Sequence, residues 1–195
     1  MSLVCDIFKS YYDARINKRN TISQLEFEFD LERNLLHLYQ ELQNNRYEIG
    51  PSIFFIQTHP VKREIFAGAF RDRIVHHLIY NYLNPLCEKT FIYDSYSCRV
   101  DKGTSKGVQR MSTFIRSCSQ NYTKDCYILK LDIQGYFMSI HKDILYHSIQ
   151  SLIDQKISLL KIPMTTEWLL QLIHKVIYHD CTQNGIFKGK KTDYE

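Results

Sequence analysis

The residues best suited to chemistry lie between Tyr127 and Ile140. Tyr127, Leu129, Leu131 and Ile133 alternate with Ile128, Lys130 and Asp132. That period of two predicts a strand with one apolar face and Asp132 near its end on the other face. Gln134 and Gly135 break the alternation, and Gly135 lets the backbone turn tightly or come close to a ligand. The aromatic pair Tyr136 and Phe137 follows at once, and a helical pattern begins after Ser139. A carboxylate at a strand end, then a turn, then an aromatic, suits a metal and nucleotide site. For an isolated aspartate, however, a solvated cap is the default, so the chemistry depends on what else is brought to it.

The groups that could join it are basic. Two β-prone runs, residues 53–56 and 63–67, flank a Pro-containing connection and predict a hairpin with Lys62 and Arg63 at its returning edge. Edge cations also guard a hairpin against aggregation, which is the plainer reading. Lys102, Lys106 and Arg110 are spaced by four, so the latter two share a helical face and Lys102 extends it into the preceding loop. Such a stripe near a helix N-terminus suits a phosphate backbone and serves equally as an ordinary solvated face. The loop from Asp94 to Gly107 has two glycines and a lysine but not the G-x-x-x-x-G-K-[ST] order, which excludes a Walker site.

Helices must carry these pieces. Leu3, Val4, Ile7, Phe8 and Tyr11 predict a first helix that ends in the basic turn 15–20. Leu31, Leu35, Leu38 and Leu42 predict an amphipathic one ending at Asn44 and Asn45. Phe70 to Arg73 opens a further helix, with Asp72 as N-cap and Pro85 helping to end it. His76 and His77 are adjacent on it, so they point about 100° apart and cannot chelate one ion together. Thr104 or Ser105 is expected to cap a helix that turns Val108, Met111, Ile115 and Cys118 inward. Ile144 to Ile153 form another, and Thr165 or Thr166 caps the one that carries Trp168, Leu169, Leu172 and Ile173.

Composition narrows the classes. The 195 residues are 44% hydrophobic and 24% charged, a globular balance with enough chain for a real core. A net charge of +4 permits a polyanionic partner without demanding one. Six scattered cysteines without a C-x-x-C make zinc and a disulfide framework poor expectations. No run is apolar enough to span a membrane and no secretory signal is present, so the expectation is a cytoplasmic protein with reduced thiols.

In order and spacing these pieces resemble something known. Lys62-Arg63, Phe70 to Arg73, Asp94 to Arg99, the Lys102 to Gly107 run and Leu131 to Phe137 resemble the N-terminal half of a reverse transcriptase. The type is the bacterial retroelement one of group II introns and diversity-generating retroelements, and the likeness covers most of the chain from the hairpin onward. It implies an α+β fold, the fingers and partial palm of a right-hand polymerase, with fingers over 1–90, a first palm segment over 91–140 and a truncated connecting segment over 141–195. The activity implied is RNA-directed DNA polymerisation by two-metal nucleotidyl transfer. Asp132 would bind the catalytic Mg²⁺ with the carbonyl of Ile133. Gly135 and Tyr136 would offer backbone N–H groups to the triphosphate, and Phe137 would gate the ribose 2′-OH. Lys62, Arg63 and Arg71 would meet the incoming phosphates, and Arg99, Lys102, Lys106 and Arg110 would track template or primer. Partners implied are an RNA template, a DNA primer, deoxynucleoside triphosphates and a retroelement accessory protein, with no membrane.

The chain also departs from that family. Its polymerases need a Tyr-x-Asp-Asp hairpin, and no Asp-Asp pair occurs in this sequence. The expectation is therefore an inactive fragment, cut before the site is complete, with some apolar surface uncovered. The other reading is a non-enzymatic α+β module that binds nucleic acid or a protein, with Asp132 structural.

Overall fold

The computed structural model describes residues 2–16, 21–59, 62–183 and 185–189. The chain is α+β, and contacts divide it into two compact units: Met1–Pro85 with Lys142–Glu195, and Leu86–His141. The last third of the chain is thus grouped with the N-terminal part rather than standing alone.

The first unit holds helices α1 (Leu3–Arg15), α2 (Ile22–Phe29) and α3 (Leu31–Gln43), then strands β1 (Ile53–Gln57) and β2 (Arg63–Ala67). Helix α4 (Phe70–Glu88) follows, and α7 (Lys142–Gln155), α8 (Thr166–Tyr178) and β3 (Ile186–Phe187) complete the unit. The expected hairpin is present: β1 and β2 pair antiparallel with Ile53 opposite Ala67 and Gln57 opposite Arg63. β3 adds parallel to the other side of β1, a pairing the sequence did not announce. The tip residues 60–61, the basic turn at 17–20 and the tail from 190 onward lie outside the described residues.

The leucine spacing of α3 does what it predicts, burying Leu35, Leu38 and Leu42 against the core, and the helix closes on Asn44. Thr165 is the cap of α8, its hydroxyl accepting from the Trp168 amide. Trp168 then lies buried with its indole N–H donating to the Leu42 carbonyl at 2.8 Å. Two expectations for α4 need correcting. Asp72 is no N-cap; it is the third residue of the helix and fully buried, and the Phe70 amide is met by the Ser23 hydroxyl. Pro85 does not end the helix either, which runs one more turn to Glu88. The missing N–H weakens that turn, but the complete burial of Leu86 holds it in place.

A recurrent device in this core is a buried tyrosine donating to a carboxylate. Tyr11 donates to Glu28 at 2.7 Å, Tyr47 to Asp72 at 2.8 Å and Tyr82 to Asp6 at 2.8 Å. Burial and the neighbouring carboxylates favour the neutral phenol, so Tyr11 is pushed up to about 12 and Tyr47 and Tyr82 are raised as well. The unfolded chain gives up these protons first, at the ordinary value of 10.0. Their contribution to stability is full below pH 10 and lost as the pH rises through the raised values. Urea midpoints followed by fluorescence of the single tryptophan are expected to fall between about pH 10 and 12. Tyr11→Phe should flatten that decline, and an equal decline in the variant would contradict the assignment.

The second unit is built differently. It carries the end of α4, the loop 89–103, α5 (Thr104–Cys118), the stretch 119–135 and the short α6 (Tyr136–Ser139). Among its described residues the only buried hydrophobic side chain is Leu86. The expectation that Val108, Met111, Ile115 and Cys118 face inward is overturned: α5 buries no residue, and Val108 and Met111 are 60% and 45% exposed. Its cap is Gly103, at φ 94°, and neither Thr104 nor Ser105. The pattern is amphipathic, but nothing among the described residues covers its apolar side.

Candidate functional site

The stretch around Asp132 is not a strand, which corrects the expectation from its alternation. Residues 125–133 form neither helix nor ladder, and both sets of side chains face solvent: Tyr127 is 92% exposed, Leu129 80% and Ile128 58%. A period of two makes a strand only where a neighbouring strand takes its N–H and C=O groups. The one sheet of the described residues uses other segments.

The turn after it is as the sequence implies. Gly135 sits in the left-handed region at φ 61°, ψ 29°, and its carbonyl accepts from the Met138 and Ser139 amides at 3.0 Å each, closing α6. An added Cβ would meet nothing within 4 Å, so glycine is needed here for its backbone conformation and not for space. Tyr136 and Phe137 leave this turn edge to face, ring centroids 5.3 Å apart, and Phe137 is 84% exposed. Asp132 is exposed, and its carboxylate accepts at 3.0 Å from the amide of its own neighbour Ile133. Among the described residues it has no ion-pair partner, and no group of three or more His, Cys, Asp or Glu could hold a metal ion. One carboxylate does not make a magnesium site, so the residues present do not by themselves fit the metal that the resemblance implies.

The basic residues fall into two groups. Lys62 and Arg63, in the first unit, are exposed and have no acidic partner among the described residues. Lys106, in the second unit, is exposed and equally unpaired. The others are committed. Arg71 forms an ion pair with Glu41, donates to the Glu48 carbonyl at 2.9 Å and lies 4.9 Å above the Tyr47 ring, next to Asp72. Burial holds its guanidinium below the ordinary value, with Asp72 pulling the other way.

Arg99 works as an internal strut. Its fork grips Glu88 at 2.8–3.2 Å, and Nη1 donates to the carbonyls of Ile92 and Ser95 at 3.0 and 3.2 Å, which uses the charge to fold the loop 89–103. The side chain is only 10% exposed. Arg110 pairs with Asp94 at 2.9 Å, and that bond, with another from the Tyr96 hydroxyl, holds the Asp94 carboxyl below the ordinary range. Lys102 donates to the Tyr93 carbonyl at 2.6 Å and stands 3.7 Å from the centre of the Tyr93 ring. At Gly107 α5 lies beside Tyr96, where an added Cβ would make ordinary contact with the ring at 3.5 Å. Thus Lys102 and Arg110 are brought together with Tyr93, Asp94 and Tyr96, whereas Arg99 serves the fold of that loop and Arg71 the fold of the first unit. The sequence reading passed over Tyr93 and Tyr96, although two tyrosines within a loop that precedes a basic helix is the available signal.

No protein-family model and no curated protein matches this chain. Among the described residues no helix is long and apolar enough to cross a membrane.

Proposed function

We propose that this chain is the fingers and opening palm segment of an RNA-directed DNA polymerase of bacterial retroelement type. One observation carries the reading. Asp132 is held in solvent without an ion-pair partner, on a bare apolar stretch, three residues before a left-handed glycine turn that sends Tyr136 and Phe137 outward. A carboxylate left unpaired beside uncovered apolar surface is suited to a site and a sheet that other segments complete. In this reading Asp132 supplies one anionic group, and the remaining carboxylates come from residues other than these. Lys62 and Arg63 donate hydrogen bonds to the incoming phosphates, a task for which an unpaired guanidinium is well shaped. Lys106 belongs to the template or primer backbone, with Lys102 and Arg110 beside it, and Arg99 and Arg71 take structural parts.

Phe137 tests the reading at the nucleotide. In a polymerase that carries this segment with the rest of its palm, Phe137→Ala is expected to admit ribonucleotides while leaving deoxynucleotide incorporation largely intact. The exposed ring touches Tyr136 and is otherwise bare, so its loss should read out chiefly at the sugar. Primer extension with each nucleotide type measures this, and an unchanged sugar preference removes the gate assignment.

A second reading has its own support. In it the exposed Asp132, bonded among the described residues only to its neighbour's amide, is a turn residue of a non-enzymatic module that binds nucleic acid or a protein partner. Nucleic-acid or partner binding that Asp132→Asn leaves unchanged, without templated extension, would favour it.

A further inference from the structure

Tyr93 is an exposed aromatic side chain with two cations close to its ring. It lies on the loop between α4 and α5 and is 71% exposed. The Lys102 ammonium sits 3.7 Å from its centroid and the Arg110 guanidinium 5.5 Å from it. Both cations are themselves fixed, Lys102 by the Tyr93 carbonyl at 2.6 Å and Arg110 by Asp94 at 2.9 Å and the Phe114 ring at 4.5 Å. The loop beneath is pinned by Arg99 and closed by the Gly103 amide on the Tyr96 carbonyl at 3.0 Å. A ring oriented before binding loses little entropy on contact.

The surroundings favour a polyanion. Residues 86–110 hold five Lys or Arg against three Asp or Glu, and Lys106 on the first turn of α5 is exposed and unpaired. We propose that Tyr93 is a stacking platform for an unpaired base of a single-stranded nucleic acid, with Lys102 and Lys106 meeting the adjoining phosphates. Every base has a π face, so such a contact tolerates any sequence. A duplex keeps its bases stacked inside and presents only backbone and groove edges, which leaves the ring without a partner. The inference deepens the proposed function and rests on it only for the strand's identity, the template ahead of the primer end.

Binding by the whole chain, measured without nucleotide or metal, separates the two. The probes are a short unstructured RNA strand and a blunt RNA–DNA hybrid of the same length, each labelled and titrated by fluorescence anisotropy. The strand is expected to bind more tightly than the hybrid. Tyr93→Ala should weaken the strand on the order of tenfold and leave the hybrid unchanged, while Tyr93→Phe retains binding. Lys106→Glu should weaken both probes and reduce their salt dependence. Because Tyr93 is exposed, an unchanged urea midpoint in Tyr93→Ala confirms that the fold is intact. Equal losses on both probes, no loss on either, or no binding by the wild-type chain each overturn the platform. If Tyr93-dependent binding holds while templated extension fails, the polymerase reading falls and the platform stands.

Discussion

Asp132→Asn, in a polymerase carrying this segment with the rest of its palm, is expected to reduce primer extension about 10³-fold or more. That factor corresponds to ~4 kcal/mol of transition-state stabilisation, in line with the several kcal/mol that charge placement supplies in nucleotidyl transfer. The amide matches the carboxylate in shape but carries no charge, so the change isolates the anion. Asp132 is exposed, and its recorded bond is to the neighbouring amide. Stability should therefore be untouched, which far-UV circular dichroism through a urea titration can verify. A variant that folds and extends primers at the wild-type rate would mean that the carboxylate serves only its own turn.

Asp72→Ala is expected to have the largest effect on stability. Asp72 is fully buried and accepts from the Tyr47 hydroxyl at 2.8 Å and the Gly50 amide at 3.0 Å, with the Arg71 guanidinium alongside. Gly50 is a close neighbour, since a Cβ there would stand 3.2 Å from the carboxylate. Truncation leaves a buried hydroxyl and a part-buried amide without their acceptor and Arg71 with one fewer counter-charge. Breaking such a network costs about 3–5 kcal/mol, or roughly 10 °C in Tm for a chain of this size. Asp72→Asn keeps one acceptor oxygen and should cost less. Trp168 reports the transition, because it is buried in the same unit. A loss below about 1 kcal/mol in the alanine variant would show that water or rearrangement satisfies the freed groups.

Where a residue's fate is decided by its near neighbours in sequence, the sequence made it legible. The leucines of α3, the Thr165 cap of α8, the hairpin of β1 and β2 and the Gly135 turn follow from spacing and local backbone chemistry. Helix α2 was not legible, because Ile22, Leu25 and Phe29 face solvent while Gln24 and Phe27 turn inward. Periodicity there points the wrong way. β3 is two residues long and pairs in parallel with a strand more than a hundred residues earlier, which no local signal announces. The alternation at 127–133 and the stripe on α5 show a related limit: a pattern states which side wants cover and not whether cover is present. The arginines mark another, since spacing cannot say which cation meets an acid. Arg99 meets Glu88, Arg71 meets Glu41 and Arg110 meets Asp94, whereas Arg63 and Lys106 have no such partner among the described residues.

The central claim is templated DNA synthesis, and the most direct measurement is the sequence of what is made. A polymerase containing this chain together with further palm carboxylates is given one RNA template, an annealed DNA primer, Mg²⁺ and all four deoxynucleotides, and the product is sequenced. The account predicts a DNA product complementary to the RNA beyond the primer end. No product, or a product whose sequence does not follow the template, contradicts it.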